Sequence, residues 1–573
     1  MTAWIDAVLM PHLVIAPILL PMLTAALMLL LGEKRRKSKA ALNILSCLAG
    51  LGIALALLLW VDAQPGPLAY GVYLPSNWPV PYGIVLVADR LSSLLLLLAA
   101  GVGLAAALFA LARWHRAGVH FHPLFQIQLM GLNGAFLTGD LFNLFVFFEV
   151  MLVASYGLLL HGSGRARVGA GLHYIAINLL ASSLFLLGTA LLYGVTGTLN
   201  MADMAHKLAQ IPSADRGLMH AGAALLGMAF LIKAAMWPLS FWLVPAYSAA
   251  SAPVAALFAI MTKVGLYAVL RLWTLFFPAG LGPDGAALLP FGGPVLVWGG
   301  LATLAFGAIG ALASQHPGRL AAYSIIVSAG TLLTAVGMHQ TSVTGGALFY
   351  LLSSTLAVSA LFLLVELIER SREVEDEAML ARPEDDDLLD LPGAMPEGVN
   401  LDDEEQALIG RAIPAAMAFL GLSFIVCTLL VTGLPPLSGF VAKFALLSAL
   451  LNPAGLGAAS AAAPIGASAW TLLALLIGSG LAATIALSRI GIRYFWAPQQ
   501  RPAPKLRVIE CLPILLLLAG CAVLAWQAGP VLRYTDAAAA ALHGPRAYIE
   551  AVLSTQPVPP PRAPQQQQQG PTP

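Results

Sequence analysis

"LIKAAMWPLSFWL", Leu231 to Leu243, puts a lysine five residues ahead of a proline inside one of the most apolar parts of the chain. A lysine at mid-bilayer costs about 2.5–3.5 kcal/mol on insertion scales, and a proline interrupts the backbone ladder of a helix. Both are tolerated where a membrane helix is interrupted around a polar site. Two hundred residues later "GLPPLSGFVAKF", Gly433 to Phe444, repeats the Pro-Leu-Ser-x-aromatic pattern and again supplies a lysine. The apolar stretch around it, Ala415 to Leu451, would run on the order of 55 Å as one helix, against a hydrocarbon core of about 30 Å. Breaks are therefore expected at Pro238 and at Pro435–Pro436.

The rest of the chain fits this membrane setting. Of its 573 residues 59% are hydrophobic and only 10% charged. Its mean hydropathy is +0.84. A soluble protein carries about a quarter charged residues, so this is an all-α polytopic membrane protein, with about fourteen spans counted along the sequence. The first apolar run, Leu13 to Leu31, lacks the pattern of a cleaved leader and reads as a retained helix. Net charge is +1, which implies no nucleic-acid partner. Cys47, Cys427, Cys511 and Cys521 lie in apolar runs without CxxC or Cys/His spacing and read as packing residues. No phosphate loop, dinucleotide fingerprint or metal motif occurs, so neither a metal nor a cofactor is expected.

Loops after the odd-numbered spans hold about 19 of the 29 lysines and arginines. That bias places these loops in the cytoplasm and both termini on the opposite, outer side of the membrane. Glu369 to Gln406 is strongly acidic and reads as a solvated cytoplasmic loop; the Gln-rich C-terminus reads as low-complexity tail.

Glu149, Lys233, Lys263 and Lys443 are charges within spans. Each carries an insertion cost that a structural or functional partner has to offset. A lysine desolvated in a helix bundle can exchange a proton near neutral pH when a carboxylate stands nearby. Glu149 is the expected partner of Lys233. Ser324, Ser328 and Ser354, with Asn178, Ser182, Ser183, Tyr323, Ser353 and Thr355, fill the same layer and are candidates to hold a chain of water. The domains expected are helices 1–3 (1–112), a first repeat (121–273), a second repeat (293–368 and 412–490) split by an acidic loop (369–409), helix 14 (508–527) and a tail (528–573).

"DLFNLFVFFEVMLVASYGLL", "LIKAAMWPLSFWLVPAYSAASAPVAALFAIMTKVGLYAVLR", "QHPGRLAAYSI" and "GLPPLSGFVAKFALL" together resemble the proton-conducting, antiporter-like subunits shared by Mrp cation/proton antiporters and respiratory complex I. The bridge "RAIPAAMAFLGLSF" and the acidic insertion look most like the D-type subunit of bacterial Mrp (Pha or Mnh) antiporters. The resemblance implies fourteen helices with two inverted five-helix repeats, helices 7 and 12 broken. It implies a glutamate on helix 5 facing a lysine on helix 7, and lysines on helices 8 and 12, the positions of Glu149, Lys233, Lys263 and Lys443. Implied partners are subunits like Mrp A, B, C, E, F and G, with protons and Na⁺ or K⁺ as cargo. The alternative it leaves open is a proton-pumping subunit of an NADH:quinone oxidoreductase or membrane-bound hydrogenase. Many relatives carry a histidine in helix 10 and a histidine–lysine pair in helix 11; here those positions are Ser328, Ser354 and Val358.

Overall fold

The computed structural model describes residues 10–64, 69–278, 280–281, 287–288, 291–380, 415–452, 465–496 and 506–558. Most of the acidic loop and the end of the tail lie outside the described residues. The chain begins with α1 (Ala16–Leu30), α2 (Arg36–Ala63), α3 (Arg90–Ala110), α4 (Phe121–Leu137), α5 (Leu141–Leu159), α6 (Arg165–Thr196), α7 (Met201–Leu208) and α8 (Arg216–Lys233). It continues with α9 (Leu243–Ala249), α10 (Ala252–Phe276), α11 (Gly293–Ala313), α12 (Pro317–Gly337) and α13 (Thr341–Leu380). The last helices are α14 (Ala415–Thr432), α15 (Ser438–Leu451), α16 (Ala467–Gly491), α17 (Val508–Trp526), α18 (Ala528–His543) and α19 (Arg546–Leu553). Two small antiparallel pairs, Gly71–Tyr73 with Leu86–Ala88 and Gly280–Leu281 with Ala287–Leu288, and three short helical turns, Met10–Leu13, Trp114–Arg116 and Ile492–Trp496, accompany these helices.

Eleven helices among the described residues are long and apolar enough to cross a bilayer. Sequence counting gave about fourteen. The difference falls on segments that are short or less apolar: α1, α4 and α8 are not among the eleven. Burial sorts the bundle: every residue of α10 is buried, α12 and the membrane-spanning part of α13 (Thr341–Arg370) are nearly so, and α2 and α17 lie at the periphery. Three of the four cysteines, Cys47, Cys427 and Cys521, are buried as free thiols in helix packing.

The chain leaves helix at both places where prolines sit near a lysine. Beyond Lys233, Ala235 takes a left-handed φ of 57°, and Met236 N–H bonds back to the Leu231 carbonyl at 3.0 Å. This six-to-one bond is a helix-terminating turn that satisfies an end carbonyl. The second place uses the same device: Gly433 has φ 77°, and Leu434 N–H reaches the Leu429 carbonyl at 3.0 Å. In both, the prolines follow the left-handed residue and prevent the helix from resuming at once. Side chains take up what the first break leaves open. Trp242 Nε1 donates to the Ile232 carbonyl at 3.2 Å, and Trp237 N–H donates to Thr303 Oγ1 at 2.8 Å.

The basic loops gather at one end of the bundle. Arg36 donates to the Arg116 carbonyl, Arg507 to the Ala112 carbonyl, and the Arg167 guanidinium lies over the Trp114 ring. At the opposite end a buried ion pair ties α10 to α3, with Arg271 Nη2 2.7 Å from Asp89. Asp89 also caps α3 through the Ser92 amide. The tail adds more than the sequence indicated: α18 and α19 pack over this end, and Tyr548 is buried with Arg271 against its ring. His543, ending α18, meets Thr344 Oγ1 at 2.9 Å and sits edge-on to His339.

Two outcomes test this framework. A Cβ at Gly265 of α10 would stand 2.7 Å from the Ala234 amide nitrogen and 3.0 Å from Lys233 C. Backbone cannot yield as a side chain would, so Gly265→Ala should lower stability by about 1–3 kcal/mol in thermal melts. Burial, with His339 beside it, pushes the His543 imidazole down to about 4. The unfolded chain, titrating near 6.5, then takes the proton first as pH falls. Between pH 7 and 5 stability should drop by on the order of 1 kcal/mol, and the drop should shrink in His543→Gln.

Candidate functional site

The breaks bring lysines into the interior. Lys233 is the last residue of α8, where the helix turns off, and is 5% exposed. Its ammonium has no hydrogen-bond partner and lies 5.2 Å from the centre of the Phe148 ring. Phe148 precedes Glu149 on α5. Glu149 itself is bound by Ser182 of α6, whose hydroxyl donates to Oε1. Four ion pairs occur among the described residues, and Glu149 with Lys233 is not one of them. The two residues expected to pair thus sit on neighbouring helices but do not touch, the carboxylate held by a serine and the lysine resting on an aromatic face.

Lys263, about three turns into α10, is 1% exposed. Its ammonium donates to Ser328 Oγ of α12 at 2.7 Å, and Ser328 meets Ser354 Oγ of α13 at 3.0 Å. Ser354 opens onto a cavity of about 30 Å³ whose lining includes Ser324, Val358, Ser479 and Lys443. A space of that size admits water. Lys443 of α15 donates to the Thr432 carbonyl at 2.7 Å, one of the end carbonyls released by the second break. The broken backbone therefore supplies the acceptor that a continuous helix would have consumed.

Of the residues singled out from the sequence, Lys263, Ser328 and Ser354 are joined by hydrogen bonds, and Lys443 lines the cavity onto which Ser354 opens. Ser324 lines the same cavity, but its hydroxyl is engaged by the Leu320 carbonyl at 3.0 Å. Glu149 and Lys233 form a second group around Phe148. Pro238 and Pro435–Pro436 lie in the non-helical links, beside the groups rather than within them. Three participants were not singled out: Ser438, which bonds Ser353 at 2.8 Å, Ser479, and the Thr432 carbonyl. Ser438 stands in the repeated Pro-Leu-Ser motif and was findable there. A backbone carbonyl has no sequence signal.

Chemically, the arrangement is a row of amines, hydroxyls and one small cavity. It can hold and pass protons, and among the described residues no cluster of three or more His, Cys, Asp or Glu side chains is placed to bind a metal. Ser354→Ala removes the hydroxyl between Ser328 and the cavity and should lower proton transport by about an order of magnitude with assembly intact. Ser324→Ala removes a hydroxyl already engaged by its own helix and should leave transport within about twofold of wild type. Acid-jump fluorescence in everted vesicles measures both.

Residues 138–384 match the family described as NADH:quinone oxidoreductase/Mrp antiporter, TM. The chain is 52% identical over 555 residues to the D-type subunit of a probable K⁺/H⁺ antiporter of Rhizobium meliloti, covering 97% of this chain and 99% of that one. It is 34% identical to the D-type subunit of the Na⁺/H⁺ antiporter of Bacillus subtilis, over 95% of this chain and 100% of that one. Its fold matches a chain in the Mrp complex from Dietzia with a TM-score of 0.76 at 26% identity, covering 95% of this chain and 100% of that one. Helices, interior lysines and these likenesses agree: the chain belongs to the family of D-type antiporter subunits, the membrane subunits of multisubunit cation/proton antiporters.

Proposed function

We propose that this subunit moves protons along a hydrated axis from Glu149 and Lys233 through Lys263 to Lys443. It does so within a multisubunit Na⁺ or K⁺/H⁺ antiporter of the bacterial inner membrane, alongside subunits like Mrp A, B, C, E, F and G. The observation that supports this reading is the unbroken contact from the Lys263 ammonium through Ser328 and Ser354 to the cavity that Lys443 lines. By the resemblance, Ser328 and Ser354 occupy two of the three places where many relatives carry titratable side chains, and Val358 the third. A hydroxyl both accepts and donates, so it can pass a proton without retaining charge.

At the other end, Glu149 is the switch. Its carboxylate is held by Ser182, leaving the Lys233 ammonium without a counter-charge in contact. Moving the carboxylate from Ser182 to Lys233 would favour the charged lysine. Moving it back would release the proton toward Lys263. At an effective dielectric of 20, changing a separation from 8 to 4 Å is worth about 2 kcal/mol, a shift of roughly 30-fold in protonation equilibrium. Driving that movement is the work assigned to the coupled cation movement in the assembled complex.

Lys233→Ala and Glu149→Ala should each reduce proton transport by about 100-fold in a strain lacking its own antiporters, with the partner subunits co-expressed. Full collapse of an imposed pH gradient by either variant would overturn the mechanism. Lost assembly of the complex in both would instead make the charges structural.

A further inference from the structure

A cavity of about 280 Å³ opens at the basic end of the bundle, between the α9–α10 link and the end of the membrane-spanning part of α13. Arg113, Arg167, Glu369 and Arg370 surround it, and Glu366 lies at its wall. Both oxygens of Glu366 accept from Trp114 Nε1 at 2.8 Å, and Oε2 also accepts from the Ala252 amide at 3.2 Å. Two further polar groups line the cavity with no hydrogen-bond partner: Tyr247 OH, on a side chain 1% exposed, and Ser251 Oγ, on one 2% exposed. Buried hydroxyls without partners mark a place where water or a polar ligand belongs. A space of this size admits several waters.

The seam between α10 and α13 runs from this cavity to Lys263. Ala252, Ala256, Ala259 and Lys263 share one face of α10 at intervals of four, three and four residues. Alanines leave the least side-chain bulk along that face. Polar contacts with α13 recur along it: Ala252 N–H with Glu366, the Ala256 carbonyl with Ser359 Oγ at 3.0 Å, and Lys263 through Ser328 with Ser354. From Ala252 to Lys263 the helix rises about 16 Å, and a lysine side chain spans part of that distance.

We propose that Glu366 is the carboxylate through which protons from the basic face, which the Lys/Arg bias puts in the cytoplasm, are loaded toward Lys263. A proton from bulk water adds to a Glu366 oxygen, passes to water held at Ser251 and Tyr247, and ends on the Lys263 amine once that amine has given its own proton toward Lys443. One proton moves; no bond to carbon and no electron is involved. Arg113, Arg167, Arg370 and Glu369 face the same water and set its potential, and Arg370 is itself paired with Glu510 at 2.6 Å. This rests on the reading of Lys263 as a proton carrier. It also supplies α13 with a titratable group eight residues beyond Val358, the place where many relatives carry a lysine on that helix.

Glu366 also docks α13 to the start of α10, so the test separates titration from docking. In everted vesicles carrying the complete complex, Glu366→Gln keeps an acceptor for Trp114 and Ala252 but takes up no proton. It should lower transport by about tenfold or more while assembly on native gels is unchanged. Glu366→Ala should be equally impaired, and millimolar formate, a small diffusible acid, should restore a substantial part of its rate. Wild-type transport by Glu366→Gln overturns the proposal. So does a loss in Glu366→Ala that formate does not restore, which assigns Glu366 to docking alone. Lys263→Ala, measured alongside, distinguishes the two levels. If it transports normally the reading of the axis fails; if it is inactive while Glu366→Gln is active, only the loading step fails.

Discussion

Lys233 and Lys263, buried with no carboxylate in contact, and Lys443, half-buried beside the second break, are the constraint on which the rest of this fold depends. An ammonium moved from water into a low-dielectric interior loses several kcal/mol of hydration, and a paired counter-ion is the usual compensation. Here Lys263 has a serine hydroxyl, Lys443 a backbone carbonyl and Lys233 an aromatic face. Each neutral partner offsets part of the cost and leaves the charge able to depart. A tightly paired lysine would be better stabilised and a poorer proton carrier.

The helix breaks follow from that constraint. A continuous helix uses its own carbonyls and offers none to a neighbour. Ending α14 at Thr432 frees the carbonyl that Lys443 takes, and ending α8 at Lys233 puts its side chain at the turn, where α10 approaches. Close approach needs glycine: Gly265 at the first break, and Gly480 at the second, where a Cβ would lie 2.9 Å from the Thr432 oxygen. Prolines hold the breaks open, glycines let neighbours close on them, and the lysines use the groups exposed between.

The burial of α10 fixes where Lys263 stands in the bundle. Every residue of this helix is covered, its far end is fixed by the Arg271–Asp89 pair, and its near end is capped by Glu366. A helix pinned at both ends keeps Lys263 at a fixed depth, so changes in its surroundings come from α12 and α13. The tail helices contribute by covering the pinned end, which explains why Tyr548 is buried in a segment the sequence presents as a terminus.

Much of this was legible in the residues themselves. A charged residue in an apolar run is costly enough to stand out, so Glu149, Lys233, Lys263 and Lys443 were visible individually. Proline chemistry dictated where the helices would end, and long apolar runs made the chain a helical membrane protein. Pairings were another matter, because they depend on helix rotation and depth, which hydropathy does not encode. Only the tertiary structure put Glu149 with Ser182 instead of against Lys233, joined Lys263 through Ser328 to Ser354 at the cavity that Lys443 also lines, and gave Glu366, which reads in sequence as an ordinary residue at a span end, the amide of Ala252. The sequence determined which groups enter the membrane, because their cost is local; the fold decided which of them meet, because contact is set by packing between distant helices.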